Sequence, residues 1–443
     1  MPEVLSQNLL SVVIFMPLVG ALLLLFFKKP EDEADDHGHA ADHDGPDKAP
    51  VKNGPAQAIK SFALIWSILT FILSLGLAFK FDSSIMGYQF ITDKQWIPQY
   101  NIHYHLGIDG ISLLLVLLTT FLSVLCVWFS FNVTKRIKEY MIFLMVLQTA
   151  MTGVFCALDL VLFYVFWEAV LIPMYFLIGI WGHERRIYAS IKFFLYTFVG
   201  SVLMLLAIIY IYLNAHSLNL IELTDSTSRA HYLLYLSGPK MLAFLFGAFS
   251  IAFMIKVPMF PFHTWLPDAH VEAPTAGSVI LAGIMLKMGT YGFMRFSLPM
   301  FPDQAKEYAT LFITLSVIGI VYGAVVAAVQ PDMKKLVAYS SVSHLGFVML
   351  GIFSFTSLGM TGAVLQMINH GVSTGMLFFI VGMLYERKHT REICAYGGIK
   401  KIVPVLSAFF LIAMLSSVAL PLTNGFVGEF TILQGAYVSG IAG

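Results

Sequence analysis

An all-α protein with many membrane spans is the fold class this sequence predicts. Three observations carry it. Apolar runs of about 20 residues, the length that crosses a bilayer, recur along nearly the whole chain. Of the 443 residues, 58% are hydrophobic and only 12% charged, whereas soluble domains carry roughly 25% charge. Two of the apolar runs are broken by proline or glycine with an ionisable residue beside the break.

About twelve spans are expected: residues 9–27, 60–79, 109–131, 140–157, 159–181, 191–213, 239–256, 276–297, 307–329, 336–354, 360–384 and 403–438. No basic residue precedes the first, so it reads as a span and not as a cleavable leader. Basic residues set the orientation. With the N-terminus outside, alternate loops divide 24 of the 26 Lys and Arg into eighteen inside and six outside. The inside set includes Lys60, Lys138, Lys334, Lys335 and Arg391; the outside set includes Lys80 and Arg295. Only Lys256 and Lys287 belong to neither. Acidic residues also number 26, and a balanced charge argues against a nucleic-acid partner.

The first inside loop holds Glu31 to Gly45, rich in acid and histidine. Such clusters can bind metal, but this composition cannot bury a core and reads as a solvated hairpin. The outside loop 81–108 carries Trp96, Tyr100 and Tyr104, which suit an interfacial aromatic belt. Cys126, Cys156 and Cys394 have no metal-ligand spacing. No dinucleotide fingerprint or haem motif appears either, so no cofactor or metal is expected in this chain.

Span five places Glu168 near its centre with no basic neighbour three or four positions away. Any partner must come from another helix; the alternative is a neutral structural acid. Span seven runs into Lys256 and then Pro258, Pro261 and Pro267. Proline removes a donor and clashes with the preceding turn, so the helix breaks there. An ammonium beside such a break marks a functional site, unless it snorkels to an interface. Span eight carries Lys287 at mid-depth, where desolvation makes it a proton carrier, among Gly277, Ala282, Gly283 and Gly289. Span ten carries His344 and span eleven His370, either as relays or as hydrogen-bonded core histidines. Span twelve breaks at Pro421 to Gly425 and resumes through Glu429. Two broken helices in corresponding places predict inverted repeats, here residues 140–297 and 307–443, behind an N-terminal segment 1–139.

Three stretches are long and specific: Phe166-Trp167-Glu168, Lys256 to Ser278, and Leu281 to Gly292. Together they resemble the antiporter-like subunits of the proton-pumping NADH:quinone oxidoreductase, respiratory complex I. The run His270 to Gly283, and a glutamate at 429, are most similar to the middle of its three such chains. The resemblance covers the chain from about span three to its end. It implies that Glu168 and Lys256 form a coupled pair in the N-terminal half. Lys287 would be the central relay, His344 and His370 would lie on a hydrated path, and Glu429 would serve the C-terminal half.

The implied function is proton translocation through a mid-membrane chain of Glu, Lys and His, coupled to quinone reduction elsewhere in the complex. FMN, iron–sulfur clusters and quinone are then expected in other subunits. The implied partners are the lipid bilayer and the other membrane-arm subunits, especially neighbouring antiporter-like ones. The implied location is a bacterial inner membrane, with the N-terminus periplasmic. The resemblance also brings departures. The family usually has about fourteen spans, so the last ones are expected to be missing here, and the acidic loop is outside its pattern. The rival readings are a subunit of a multisubunit cation/proton antiporter, a quinone-binding module and a scaffold.

Overall fold

The structure is a computed structural model that describes residues 8–30 and 54–440. The acidic, histidine-rich stretch Glu31–Gly45 lies outside the described residues. Among the described residues, ten helices are long and apolar enough to cross a membrane. Two shorter apolar helices, Leu9–Leu24 and Pro404–Ser417, stand where the sequence places spans one and twelve. The span numbers above are kept below.

Span eight, Thr275–Met300, is the axis of the bundle. All of its apolar window is buried, against 28% in spans two and nine at the rim. Lipid offers no hydrophobic drive for helix association, so close backbone approach must supply dispersion contacts instead. Gly289 shows this: a Cβ there would lie 2.7 Å from Val257 Cγ2 and 2.8 Å from the Phe253 carbonyl. Span eight therefore packs directly on the break of span seven.

Span ends are capped by the sequence itself. Asp109, Asp159 and Asp332 each accept from backbone N–H groups of the turn they open. The loops that alternation assigns to one side also meet. Trp181 donates to the Lys135 carbonyl, Arg185 N–H to Glu272, and Met333 N–H to the Arg391 carbonyl. On the opposite side Leu158 N–H donates to His105 and Leu160 N–H to Leu218.

Two expectations change. The loop 81–108 contains an antiparallel hairpin, β1 (Gln89–Ile97) and β2 (Ile102–Ile108). Register shifts blur the alternation of β1, which is why the pattern reads as loop. Trp96 and Tyr100 remain exposed on it, as an aromatic belt requires. Moreover, three lysines of the basic loops are buried rather than solvated. Lys138 Nζ donates to the Leu25 and Phe27 carbonyls, Lys60 to Phe131, and Lys334 to Ala273. Each thus satisfies orphan carbonyls where a helix ends, at the negative end of its dipole.

Candidate functional site: a buried file of lysine, histidine and glutamate

The first broken helix runs Pro239–Lys256, then irregular backbone, then Trp265–Glu272. Pro258 and Pro261 stand in the gap, as their missing donors dictate. The freed Ile255 carbonyl takes the Trp265 indole N–H at 2.9 Å. Lys256 ends the first half-helix and is 1% exposed. Its ammonium has no hydrogen-bond partner among the described residues and lies over the rings of Trp167 and Phe193, 5.3 and 5.8 Å from their centroids. Snorkelling is thereby ruled out.

Glu168 closes the segment Leu160–Ala169 of span five, whose winding is interrupted at Val170 before Leu171–Trp181. Pro173 accounts for the interruption, because it cannot donate to the carbonyl four residues back. Glu168 is half-buried, faces Ser201 and Lys256, and keeps one carboxyl oxygen without a hydrogen-bond partner among the described residues. No direct ion pair joins it to Lys256 among the described residues. The two are electrostatic neighbours only.

Lys287 is fully buried in span eight. The stretch Leu281–Met285 winds in a wide, π-type turn, and the Ala282 carbonyl accepts from Lys287 Nζ at 2.6 Å. Nζ also meets His370 Nδ1 at 2.5 Å. The His344 ring follows, 5.6 Å away centroid to centroid. His344 Nδ1 meets Glu429 Oε1 at 2.8 Å, and its Nε2 meets Ser417 Oγ at 3.2 Å. Gln366 Nε2 donates to the same Glu429 oxygen at 2.9 Å. Lys287, His370, His344 and Glu429 thus line up as one file drawn from four helices.

Glu429 lies in the second turn of Asn424–Val438, beyond the second break. Gly425 is required there: a Cβ would strike the Ser416 carbonyl. Asn424 accepts from Ser416 Oγ at 2.6 Å, and its carbonyl accepts from Asn369 Nδ2 at 2.7 Å. Pro421 falls in the exposed part of the gap.

Several participants were not singled out from sequence. Gln366 shares a helical face with Asn369, His370 and Ser373, and that spacing is a polar stripe that could have found it. Lys334 read as a loop cation, yet it is 5% exposed and caps the half-helix Trp265–Glu272. His270, on that half-helix, is buried with neither ring nitrogen hydrogen-bonded among the described residues. Below it a cavity of about 900 Å³, lined by Arg185, Asp268, Glu272, Asp332 and Arg391 among others, opens at the basic side. Among the described residues, no three His, Cys, Asp or Glu side chains gather to hold a metal ion. Cys126 and Cys156 are buried and Cys394 exposed, all free.

The fold and this file define a class: helical membrane proteins that carry acids and bases at mid-depth around interrupted helices. The family model described as NADH:quinone oxidoreductase/Mrp antiporter matches residues 157–442. NADH-quinone oxidoreductase subunit M of Rickettsia conorii is 47% identical over 98% of this chain and 83% of its own length. The subunit M of Rhodobacter capsulatus is 48% identical over 97% of this chain and 81% of its own. A chain in the structure of respiratory complex I from Thermus thermophilus superposes with a TM-score of 0.81 at 29% identity, over 98% of this chain and 84% of that one. This chain belongs to the NADH-quinone oxidoreductase subunit M family.

Proposed function

We propose that this chain translocates protons as a membrane-arm subunit of NADH:quinone oxidoreductase, with Glu168, Lys256, Lys287, His370, His344 and Glu429 as the carriers. The single observation that supports this most is the alignment of Lys287 on His370 and of His344 on Glu429, with the two imidazole rings 5.6 Å apart between them. Each member can hold and release a proton, which is all a relay needs. No group in the file carries electrons. The redox cofactors and the quinone chemistry then belong to other subunits, and coupling reaches this chain as electrostatics. A charge moved to within about 6 Å, at an effective dielectric of about 20, changes a neighbour by about 3 kcal/mol, or two pK units. That suffices to load or unload a lysine whose surroundings already disfavour its charge.

The N-terminus then lies on the periplasmic side, following the basic loops, and the cavity beside Glu272 and Asp332 faces the side of proton uptake. Neighbouring antiporter-like subunits are the expected lateral partners. The repeats 140–297 and 307–443 are the two units, each with one break.

The test is Lys287→Met in the whole complex, reconstituted in vesicles. NADH-driven proton uptake is expected to fall about tenfold while the complex still assembles. Undiminished uptake at normal quinone reduction overturns the assignment. Sodium/proton exchange without NADH would favour the Mrp-type reading that the same family model spans.

A further inference from the structure

The ends of span eight differ. Lys287 points its ammonium back toward the start of the helix, onto Ala282, as helical side chains do. Two turns further on, at the hairpin side, stands Arg295, with 10% of its side chain exposed. Its fork is spent on four partners. Nε donates to Tyr291 Oη at 3.1 Å, and Nη1 to Tyr88 Oη at 3.0 Å. Nη2 donates to Ser112 Oγ at 3.2 Å and meets Asp109 Oδ1 at 2.6 Å. Tyr88 and Tyr291 also offer ring faces to the guanidinium, at 5.0 and 5.2 Å.

We propose that Arg295, held by Asp109, Ser112, Tyr88 and Tyr291, is the seal that keeps protons on Lys287 from leaving along span eight to the hairpin side. This rests on the proton reading of the file above. Three physical facts carry it. A guanidinium never deprotonates in a protein and has no acceptor, so it cannot pass a proton on. Its fixed charge, largely buried, repels an approaching proton, as an arginine does in proton-excluding pores. It also occupies the oxygens that a water chain would use. Tyr291, one turn from Lys287, accepts from Arg295 and donates to the Phe155 carbonyl at 2.9 Å, and a carbonyl relays nothing. Asp109 has two roles here. It opens span three by accepting from Ser112 N–H at 2.9 Å, and it offsets the cost of burying the guanidinium. The route left to Lys287 is sideways, to His370.

The seal predicts a leak that needs no turnover. The whole complex is placed in vesicles without NADH, a potassium–valinomycin potential is applied, and internal pH is followed. Arg295→Gln is expected to raise proton entry about fivefold, and adding Lys287→Met is expected to return it to the wild-type rate. Arg295→Lys keeps the charge but loses the fork, and about a twofold leak is expected. A tight Arg295→Gln complex overturns the proposal, as does a leak indifferent to Lys287. If Arg295→Gln fails to assemble, the lysine variant decides alone, and wild-type tightness there overturns it. Pumping by Lys287→Met with Arg295 intact reports separately on the proton reading itself.

Discussion

The two interrupted helices use one device with opposite charges. At the first, the ammonium of Lys256 is buried, has no hydrogen-bond partner among the described residues and is faced by aromatic rings. At the second, the carboxylate of Glu429 is 14% exposed, pairs with His344 and accepts from Gln366. The backbone explains the choice of charge. Lys256 ends the half-helix before its gap, where the dipole is negative. Glu429 lies in the second turn after its gap, toward the positive end. The two residues are therefore not interchangeable images of each other. At the first site the ammonium has no hydrogen bond among the described residues, whereas at the second the carboxylate is held by His344 and Gln366.

The largest effect that would sharpen this contrast is at the first break. Glu168→Gln and Lys256→Ala are each expected to abolish most proton pumping while the complex assembles, a fall of at least about tenfold in vesicle acidification. Near-normal pumping in both variants would break the comparison, because an unpaired buried charge would then have no task.

At the second break the effect is graded. Glu429→Gln removes the titrating group and is expected to stop transfer to His344, whereas Glu429→Asp keeps a carboxylate about one methylene short and retains partial activity. The sequence argument alone makes lysine at 429 tolerable, since Lys256 works at its own break. With His344 at 2.8 Å and the Gln366 amide also donating, an ammonium would face two donors. Glu429→Lys is therefore expected to pump less than Glu429→Asp, measured side by side. Equal rates for glutamine and wild type would make Glu429 a structural acid.

The smallest effect is where the halves are tied together at the basic side. His183 N–H donates to the Glu272 carbonyl at 3.1 Å, between the first break and the Lys334–Arg391 region. Burial pushes the His183 imidazole down to about 4; Lys334 and Arg391 add to this, and Asp332 opposes it. The folded value lies below the unfolded value of about 6.5, so the fold favours the neutral ring. That contribution is complete above about pH 6.5 and is lost as pH falls toward about 4. Its ceiling is about 3 kcal/mol, and solvent screening of a half-exposed ring leaves about 1 kcal/mol. His183→Gln is expected to flatten the loss of thermal stability of the complex between those pH values. An unchanged pH profile would separate His183 from the tie.

The sequence determined which ionisable side chains lie deep within the apolar spans. A lysine ten or more residues from either end of an apolar run cannot reach water, so Lys287 announces itself by position, and prolines and Gly425 announce the gaps because backbone donors and Cβ atoms are local facts. Span positions were legible for the same reason. Partnership was not legible. Lys287 meets His370 across 83 residues and His344 meets Glu429 across 85, and no local pattern encodes which helices touch. The same limit hid Lys334, whose charge reads as a loop cation until the carbonyl of Ala273, 61 residues away, is brought to it. It also hid the lack of a direct Glu168–Lys256 contact. Tertiary structure alone decided that one buried charge is left without a bond and the other is given two, because burial and pairing are set by packing between helices rather than by order along the chain.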